Sequence, residues 1–376
     1  MRIVSACVHE LNIPFAEPFR HTLAERACSD SILVRLATDT GAIGYGEAVP
    51  RAYVTGETPA TCVADIRALL DTLNLDPLRQ DDAIPTLDTF ARCLPAAAGA
   101  SARCAVETAL TDAWLRARHL SFAALLPPQR DGVVYSGIIG AGSMEQTEQA
   151  AARCKAMGFA HVKIKACAMP DIEKIARARH ILGDAVSIGV DANAAFDPAT
   201  ARAFLAAAAP YRVDSVEQPI AAGNLAALAA LRAASPVPIM ADESLASVED
   251  ARALIEHRAV DRFNIRLSKC GGPTRARAIA AMAVQAGIGI QAGCHVGETA
   301  VLSAAGRHFA ASLPDLLYAE GSYGEYLLKE DIGIDSVAFG PGGNAPLLTG
   351  SGLGIDIDPD RLERYTVRKT RLGAIQ

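Results

Sequence analysis

Three lysines lie in segments that are otherwise rich in apolar residues. Lys163 and Lys165 stand two apart in the run HVKIK, and Lys269 closes the run RFNIRLSK. Residues two apart in a strand point to the same face, and two neighbouring ammonium groups lower each other's pKa. A lysine whose pKa is lowered in this way is a usable general base. These residues therefore predict proton transfer, with Lys269 approaching the substrate from a second side.

Three acidic residues, Asp191, Glu217 and Asp242, close three successive β-branched runs. Carboxylates brought together at one place repel each other unless a cation neutralises them. Ligands that offer only oxygen suit Mg²⁺, with Mn²⁺ as a second possibility. The alternative is that these acids cap helices or form salt bridges in loops. The sequence thus predicts a divalent-metal site and leaves a structural role open.

The segments that carry these residues predict a (β/α)-barrel. Between residues 133 and 320, eight short strands alternate with alanine-rich helical segments, and eight parallel strands close a barrel. The polar residues at or just after the strand ends are spaced by 26, 26, 25, 27, 26 and 25 residues: Lys165, Asp191, Glu217, Asp242, Lys269, His295 and Glu320. A solenoid would repeat similar side chains at such positions, whereas these change chemistry. In a barrel, all of them meet at one mouth.

The sequence pattern of the rest of the chain indicates that the protein has three parts, one of which is the barrel. Residues 1–130 combine strand-like and helical patterns and predict a separate α+β domain, followed by the barrel at residues 131–325. Residues 326–376 are rich in glycine and too few to fold alone. We expect this last segment to rejoin the N-terminal domain.

The composition of the chain limits the classes of partner that the protein is expected to bind. The net charge is −6, and no cluster of Lys and Arg forms a basic stripe, so nucleic acid is not an expected partner. No apolar run is long enough to span a membrane, and the first residues are too polar for a signal peptide. The nine cysteines are scattered without C-x-x-C spacing, as in reduced thiols. We therefore expect a cytoplasmic protein that binds a small molecule.

Five short motifs together give the chain a family resemblance: K-I-K at 163–165, D-A-N at 191–193, E-Q-P at 217–219, A-D-E-S at 241–244 and S-K-C-G-G-P at 268–273. In this order and spacing they resemble the enolase superfamily, and within it the muconate cycloisomerase subgroup with its related dipeptide epimerases and N-acylamino acid racemases. The resemblance implies a modified enolase-type barrel capped by the N-terminal domain, and commonly a homo-oligomer.

The same resemblance implies roles for the site residues. It assigns the metal to Asp191, Glu217 and Asp242, the acid–base pair to Lys165 and Lys269, and contact with the substrate carboxylate to Lys163. Substrate specificity would come from cap loops around residues 19–26 and 51–57. The predicted substrate-binding residues are His21, Arg51, Tyr53, Asn193, His295, Glu320 and Ser322.

Several of these substrate-binding predictions carry alternatives. Arg51 either binds a distal anion or is an ordinary surface arginine. Where dipeptide epimerases of the subgroup usually have D-x-D, this chain has Glu320, Gly321 and Ser322, which argues against a standard dipeptide. His295 in GCHVGE replaces a residue that is often apolar, with Glu298 retained, and either contacts substrate or fills a polar pocket.

These residues favour an isomerase that removes the proton next to a substrate carboxylate and passes through an enediolate that the metal stabilises. The leading hypothesis is a racemase or epimerase of an N-substituted amino acid, because lysines are expected on both faces of one carbon. The loop containing His21 and the acid Glu320 support cycloisomerisation of a muconate-like diacid as the alternative. Dehydration, as in o-succinylbenzoate synthase, is a third outcome. A Schiff-base lysine aldolase or a non-catalytic binding protein would leave the three acids unexplained.

Overall fold

The computed structural model describes residues 1–21, 24–79, 84–95 and 98–374, with backbone alone at residues 18–21, 24 and 25. The N-terminal part consists of β1 (Ile3–Leu11), β2 (Ile13–His21), β3 (Ala24–Ser29), β4 (Ile32–Thr38), β5 (Ile43–Ala48), α1 (Ala52–Thr55), α2 (Pro59–Asp71), α3 (Leu87–Arg92) and α4 (Ala100–Arg116). Strands β1, β4 and β5 pair antiparallel in one sheet, and β2 pairs with β3 in a hairpin.

Helix α4 lies directly on β5, and two glycines allow the close approach. A Cβ at Gly44 would lie 2.6 Å from Ala113 Cβ, and one at Gly46 would lie 2.6 Å from Ala109 N. Any side chain at either glycine would push the helix off the strand. The helix is buried on all sides from Ser101 to Leu115, because it lies between this sheet and the barrel.

The barrel contains the eight expected strands. A short strand, β6 (Gly132–Val134), precedes β7 (Gly137–Ile139), β8 (His161–Lys165), β9 (Ser187–Asp191), β10 (Val213–Glu217), β11 (Ile239–Ala241), β12 (Arg262–Arg266), β13 (Gly289–Gly293) and β14 (Leu316–Ala319). Strands β7 to β14 pair in parallel in chain order. A parallel bridge between Tyr135 and Ala319 brings the first strand beside the last and closes the barrel.

Helices connect the strands: α5 (Met144–Met157), α6 (Asp171–Leu182), α7 (Pro198–Ala208), α8 (Leu225–Ala234), α9 (Val248–Glu256), α11 (Pro273–Ala286) and α12 (Ala300–Ser312). A single buried turn, α10 (Leu267–Cys270), lies between β12 and α11. Several of these helices begin at a polar cap, such as Ser143 for α5 and Asp197 for α7, whose side chains accept backbone N–H bonds. The expectation that the sixth barrel strand extends to Lys269 is wrong. The strand ends at Arg266, and Lys269 lies in the single turn of α10.

The last residues form α13 (Gly324–Leu327), β15 (Asn344–Pro346), α14 (Pro359–Tyr365) and β16 (Thr366–Leu372). Strand β15 pairs with β6 beside the barrel, whereas β16 pairs antiparallel with β1. We call β1–β5, α1–α4 and β16 the cap. Across the ranges described above, no helix combines the length and apolar character needed to cross a bilayer.

The interior of the barrel is polar from its closed end to its mouth. At the closed end, His161 stacks on Tyr318 with ring centroids 3.6 Å apart and is hydrogen-bonded to Ser136 at 2.8 Å. Lys163 and Lys165 follow His161 on the same face of β8, as the period of two requires. The strand therefore carries a row of polar groups toward the mouth.

Candidate active site

The three predicted metal ligands meet at the mouth. Asp191 and Glu217 end the paired strands β9 and β10 and stand side by side in register, and Asp242 follows β11 directly. All three are buried, with at most 2% of each residue exposed. We call them the acid cluster. Carboxylates in such a place need positive charge close by, and four basic side chains supply it.

Lys163 contacts the acids of the mouth more extensively than any other lysine described. Its Nζ lies 2.7 Å from Glu320 Oε2, 3.3 Å from Glu217 Oε2 and 3.5 Å from Asp191 Oδ2. Burial disfavours its charged form, but these acids outweigh burial and raise the pKa of Lys163 well above its usual value. The two lysines were expected to lower each other's pKa. For Lys163 this expectation is wrong, because the carboxylates beside it raise its pKa by more than burial and the neighbouring cations lower it.

Lys165 lies two residues after Lys163 in β8, nearer the mouth. Its Nζ donates to Asp191 Oδ2 at 2.8 Å and to Asn193 Oδ1 at 2.7 Å. Asn193 is held in a left-handed backbone conformation, with φ of 44°, and its N–H donates to Asp191 Oδ1 at 3.0 Å. Left-handed non-glycine residues are costly and cluster at functional sites. Gln218 and Ser322, which also follow barrel strands, share this conformation.

Lys269 reaches the acid cluster from the opposite side. It lies just after β12, four strands round the barrel from the strand of Lys165. Its Nζ donates to Asp242 Oδ1 at 2.7 Å and to the backbone oxygens of Asp242 and Asn264 at 2.6 and 2.9 Å. Lys269 is completely buried. Lys165 and Lys269 thus flank the cluster from two sides.

Arg266 is a fourth basic residue at the mouth, which the sequence analysis did not single out. Its guanidinium contacts Glu217 Oε1 at 3.2 Å and also contacts Asp242 Oδ2. A polar residue at the end of a barrel strand, the same signal that identified Lys165, would have identified it, since β12 ends at Arg266. Arg266 lies between the two acids and neutralises them in place of a metal ion.

Among the described residues, no three His, Cys, Asp or Glu side chains form a ready-made set of metal ligands. The contacts give the reason, because Arg266 lies between Glu217 and Asp242 while Lys163 bridges Glu217 and Asp191. The donor chemistry nevertheless fits a hard divalent cation, since the cluster offers three buried carboxylates and only oxygen atoms. Such an ion would take over the neutralisation that these basic side chains provide.

Glu217 lies at the centre of this network. Burial raises its pKa to about 7 against the attraction of Lys163, and the neighbouring acids add to the rise. Asn264 donates to its Oε1 at 2.7 Å, and Gln291 to its Oε2 at 3.4 Å. These two amides were not predicted, because nothing in the spacing of the sequence places them below the acids.

Glu243 is a further acid that the sequence analysis quoted in A-D-E-S without a role. Its Oε2 is buried and has no hydrogen-bond partner among the described residues. Burial, with the negative charges of Asp242 and Asp191 beside it, raises its pKa to about 8. Glu243 lines a small cavity of about 30 Å³ together with Lys165, Asn193 and His295.

The cap covers this small cavity with Arg51 and Tyr53. Arg51 is 2% exposed and is not a surface residue; its guanidinium donates to Asp30 Oδ1 at 2.8 Å and to Val296 O at 2.6 Å. It therefore fastens the cap to the loop after β13. Tyr53 is 37% exposed and lies beside Arg26. Of His21, which ends β2, only the backbone is described, so its predicted substrate contact lies outside the described side chains.

A larger cavity of about 560 Å³ opens from the mouth toward α5 and the C-terminal segment. Four predicted residues line it beside Lys165: Lys163, His295, Glu320 and Ser322. Ser322 is buried and its hydroxyl accepts a hydrogen bond from Arg307 at 2.9 Å. The cavity is large enough for a small organic molecule.

Family-level matches cover most of the chain. Residues 3–127 match the N-terminal domain of mandelate racemase / muconate lactonizing enzyme, and residues 145–361 match the enolase C-terminal domain-like family. The expected barrel with its N-terminal capping domain is confirmed by these matches and by solved structures of the same fold.

Three proteins show how similar the relatives are. N-succinyl-L-Arg/Lys racemase of Bacillus cereus is 28% identical over 375 residues, 98% of each chain, and its crystal structure superimposes with a TM-score of 0.89. Chloromuconate cycloisomerase of Cupriavidus necator is 30% identical over 97% of this chain and 99% of its own. A dipeptide epimerase from Cytophaga hutchinsonii, complexed with Mg and D-Ala-L-Val, has a TM-score of 0.89 at 26% identity and covers 99% of this chain and 100% of its own.

Proposed function

The chain belongs to the mandelate racemase/muconate lactonizing enzyme family of the enolase superfamily and is an isomerase, and from this premise we propose that it racemises or epimerises an N-substituted amino acid. The observation that carries the proposal is the placement of Lys165 and Lys269 on two sides of the acid cluster. Inverting a carbon requires one group to remove the proton from one face and another to return a proton to the opposite face. Two flanking lysines meet this requirement.

The proposed metal ligands are Asp191, Glu217 and Asp242, with Mg²⁺ as the metal and Mn²⁺ as an alternative. Mg²⁺ bound there would stabilise the negative charge that develops on the substrate carboxylate when the α-proton leaves. The donor set is hard and oxygen-only, and the similar dipeptide epimerase was solved with Mg.

The lysines divide the remaining work. Lys165 removes or returns the proton on one face of the α-carbon, and Lys269 does so on the other. Lys163, whose raised pKa keeps it charged, holds the substrate carboxylate by ion pairing. Arg51 and Tyr53 of the cap cover the mouth and limit the access of water to the reacting carbon.

The substrate class rests on relatives as well as on geometry. The similar enzymes include a racemase of N-succinyl-L-Arg/Lys and epimerases of dipeptides, and in both groups the name describes an amino acid substituted on nitrogen. At the end of the last barrel strand this chain has Glu320, Gly321 and Ser322 in place of the D-x-D expected for a standard dipeptide substrate. We therefore place N-substituted amino acids ahead of ordinary dipeptides.

Exchange of the α-proton in heavy water tests this function. With Mg²⁺ present, the parent enzyme should exchange the α-proton of both enantiomers of a substrate. Lys165→Ala should lose exchange for one enantiomer by about 10²–10⁴-fold and Lys269→Ala for the other, because each lysine faces one side. Lys174→Ala, on the outer helix α6 where Lys174 pairs with Asp171, is the matched control and should behave like the parent. Equal exchange in all three variants would exclude the proposal.

Cycloisomerisation of a muconate-like diacid is the second candidate, favoured by 30% identity to a chloromuconate cycloisomerase over 97% of this chain. In that reaction one lysine would protonate the carbon next to the new lactone ring. Turnover would remove the ultraviolet absorbance of the diene. An unchanged spectrum with muconate and its chlorinated forms, together with exchange on N-substituted amino acids, would decide for the first candidate.

A further inference from the structure

Gln218 is completely buried, and all four hydrogen-bonding positions of its side-chain amide are filled. Its Oε1 accepts from the backbone N–H groups of Asp242 and Ser244, both at 3.0 Å. Its Nε2 donates to Ser244 Oγ at 2.8 Å and to Ile220 O at 2.7 Å. An amide offers two acceptor and two donor positions, so no capacity is left over. The side chain therefore fixes the turn at residues 242–244 beside β10.

The backbone of Gln218 holds a second turn, on the other side of β10. Its carbonyl oxygen accepts from the N–H of Ala194 at 2.7 Å. Asn193 and Ala194 are both left-handed, with φ of 44° and 58°, so contacts from outside the turn must hold them in this conformation. Gln218 thus joins the turn that follows β9 to the turn that follows β11.

Each of these two turns holds one of the lysines proposed for proton transfer. In the turn after β9, Asn193 Oδ1 accepts from Lys165 Nζ at 2.7 Å. In the turn after β11, the backbone oxygen of Asp242 accepts from Lys269 Nζ at 2.6 Å. A single residue, Gln218, therefore connects the surroundings of the two lysines across β10.

The conformation of Gln218 shows that its side chain is needed at this position. Its backbone is left-handed, with φ of 39°. Glycine adopts this conformation without steric cost, whereas a residue with a Cβ does not. Such residues persist where the surrounding contacts over-determine them, as the four side-chain bonds do here. An ionised glutamate could not replace the amide, because one of its oxygens would face Ile220 O and two acceptors repel each other.

We infer that Gln218 is a positioning residue of the active site, which sets Lys269 relative to Lys165 and fixes the backbone from which the Asp242 carboxylate reaches the acid cluster. This inference rests on the proposed function and adds to it a residue that acts through Asp242 and Lys269. Residues that orient metal ligands in this way typically contribute about 10–100-fold to metal affinity or activity.

Gln218→Met tests the inference, because methionine is similar in size to glutamine and makes none of the four side-chain hydrogen bonds. Mg²⁺ binding measured by calorimetry should weaken by about 10–100-fold, since the backbone of Asp242 loses the contacts that hold it. With saturating Mg²⁺, α-proton exchange should fall by up to about 10²-fold for the enantiomer that depends on Lys269. The enantiomer that depends on Lys165 should lose less, because the backbone bond to Ala194 remains.

Two further variants accompany it. Ser244→Ala removes only the hydroxyl that accepts from Gln218 Nε2, so it tests the same contact with less risk to folding. It should weaken Mg²⁺ binding and the Lys269-dependent exchange by about 3-fold. Gln146→Met is the matched control. Gln146 is exposed and accepts from the backbone N–H of Ser143 at the start of α5, so its loss should leave both quantities at the parent values.

Calorimetry separates this inference from the proposed function, with both enantiomers of N-acetyl-leucine and N-succinyl-lysine as exchange probes. If the parent exchanges neither probe but Mg²⁺ affinity still depends on Gln218, the proposed function fails and the positioning of Asp242 stands. Parent Mg²⁺ affinity and parent exchange rates in folded Gln218→Met and Ser244→Ala would overturn the inference while the proton transfer remains. A lower unfolding temperature with unchanged Mg²⁺ affinity and equal loss for both enantiomers would also overturn it, because an ordinary buried amide behaves in that way.

Discussion

Buried acids occupy two regions of this protein, and they are neutralised in different ways. Between cap and barrel, Glu47 accepts hydrogen bonds from the backbone N–H groups of Thr299 and Leu302, at 3.0 Å each, and from the Thr299 hydroxyl at 2.8 Å. Glu107 likewise accepts from the N–H of Thr274 at 2.8 Å. Each acid thus lies at the start of a barrel helix, where free N–H groups favour negative charge. At the mouth, side-chain cations neutralise the acids instead.

The difference teaches which acids are available to a ligand. Backbone N–H groups belong to the helices α12 and α11 and do not move away, so Glu47 and Glu107 remain bound to them. Lysine and arginine side chains can change rotamer, so the acid cluster can exchange them for a metal or a substrate. A buried acid held by backbone is a fastener between domains, and one held by mobile side chains is a site.

The largest effect that tests this contrast is expected at Glu217. Glu217→Gln should lower activity by about 10³-fold and weaken Mg²⁺ binding measured by calorimetry, because it removes a proposed metal ligand. Stability should not fall, because five acids share this region with four basic groups: Asp191, Glu217, Asp242, Glu243 and Glu320 with Lys163, Lys165, Arg266 and Lys269. A variant that unfolds more easily without metal, yet keeps its activity, would reverse the contrast.

A smaller effect, on stability alone, is expected at Glu47. Glu47→Ala leaves two backbone N–H groups and one hydroxyl buried without an acceptor, which should lower the free energy of unfolding by about 3 kcal/mol. Urea titration measures this loss. Below the unfolding transition kcat should stay near the parent value, and Glu47→Gln should lose less, since its amide oxygen still accepts. Loss of kcat in fully folded Glu47→Ala would show that this acid also serves the mouth.

The smallest effect is expected at His308, which is buried. Its Nε2 contacts Leu353 O at 3.1 Å, and its ring stacks on Phe122. Burial lowers the pKa of His308 to about 4. The unfolded chain, with a histidine pKa near 6.5, binds a proton that the folded chain does not, so His308 makes stability fall as the pH drops from about 6.5 to 4. Over that window, His308→Gln should lose roughly 2 kcal/mol less stability than the parent in urea titrations. Parallel pH profiles would contradict this assignment.

The strand-end positions of the site were predictable because a barrel repeats its βα unit at a nearly constant length. The period placed Lys165, Asp191 and Glu217 at one mouth, and the structure brings these side chains together. Their catalytic and metal-binding roles remain proposals. Arg266 was missed because the predicted strand was drawn through to Lys269, which put Arg266 in its middle and not at its end.

Contacts between distant segments were not predictable from patterns. Glu47 and Thr299 are 252 positions apart, and no local motif links an acid of β5 to the first turn of α12. Arg51 shows the same limit. Its sequence context suggested an exposed loop, yet Val296 and Asp30 bury it. Such pairings depend on how the cap packs on the barrel, which neither period nor propensity encodes.

The pairing of β16 with β1 has a consequence for synthesis on the ribosome. Strand β1 is made before all eight barrel strands, but its partner at Thr366–Leu372 emerges only after them. Until then one edge of β1 is open to pairing with another chain. Translation that stalls late would therefore leave a nascent chain with a complete set of barrel strands and an unguarded sheet edge, a species that chaperones would need to shield.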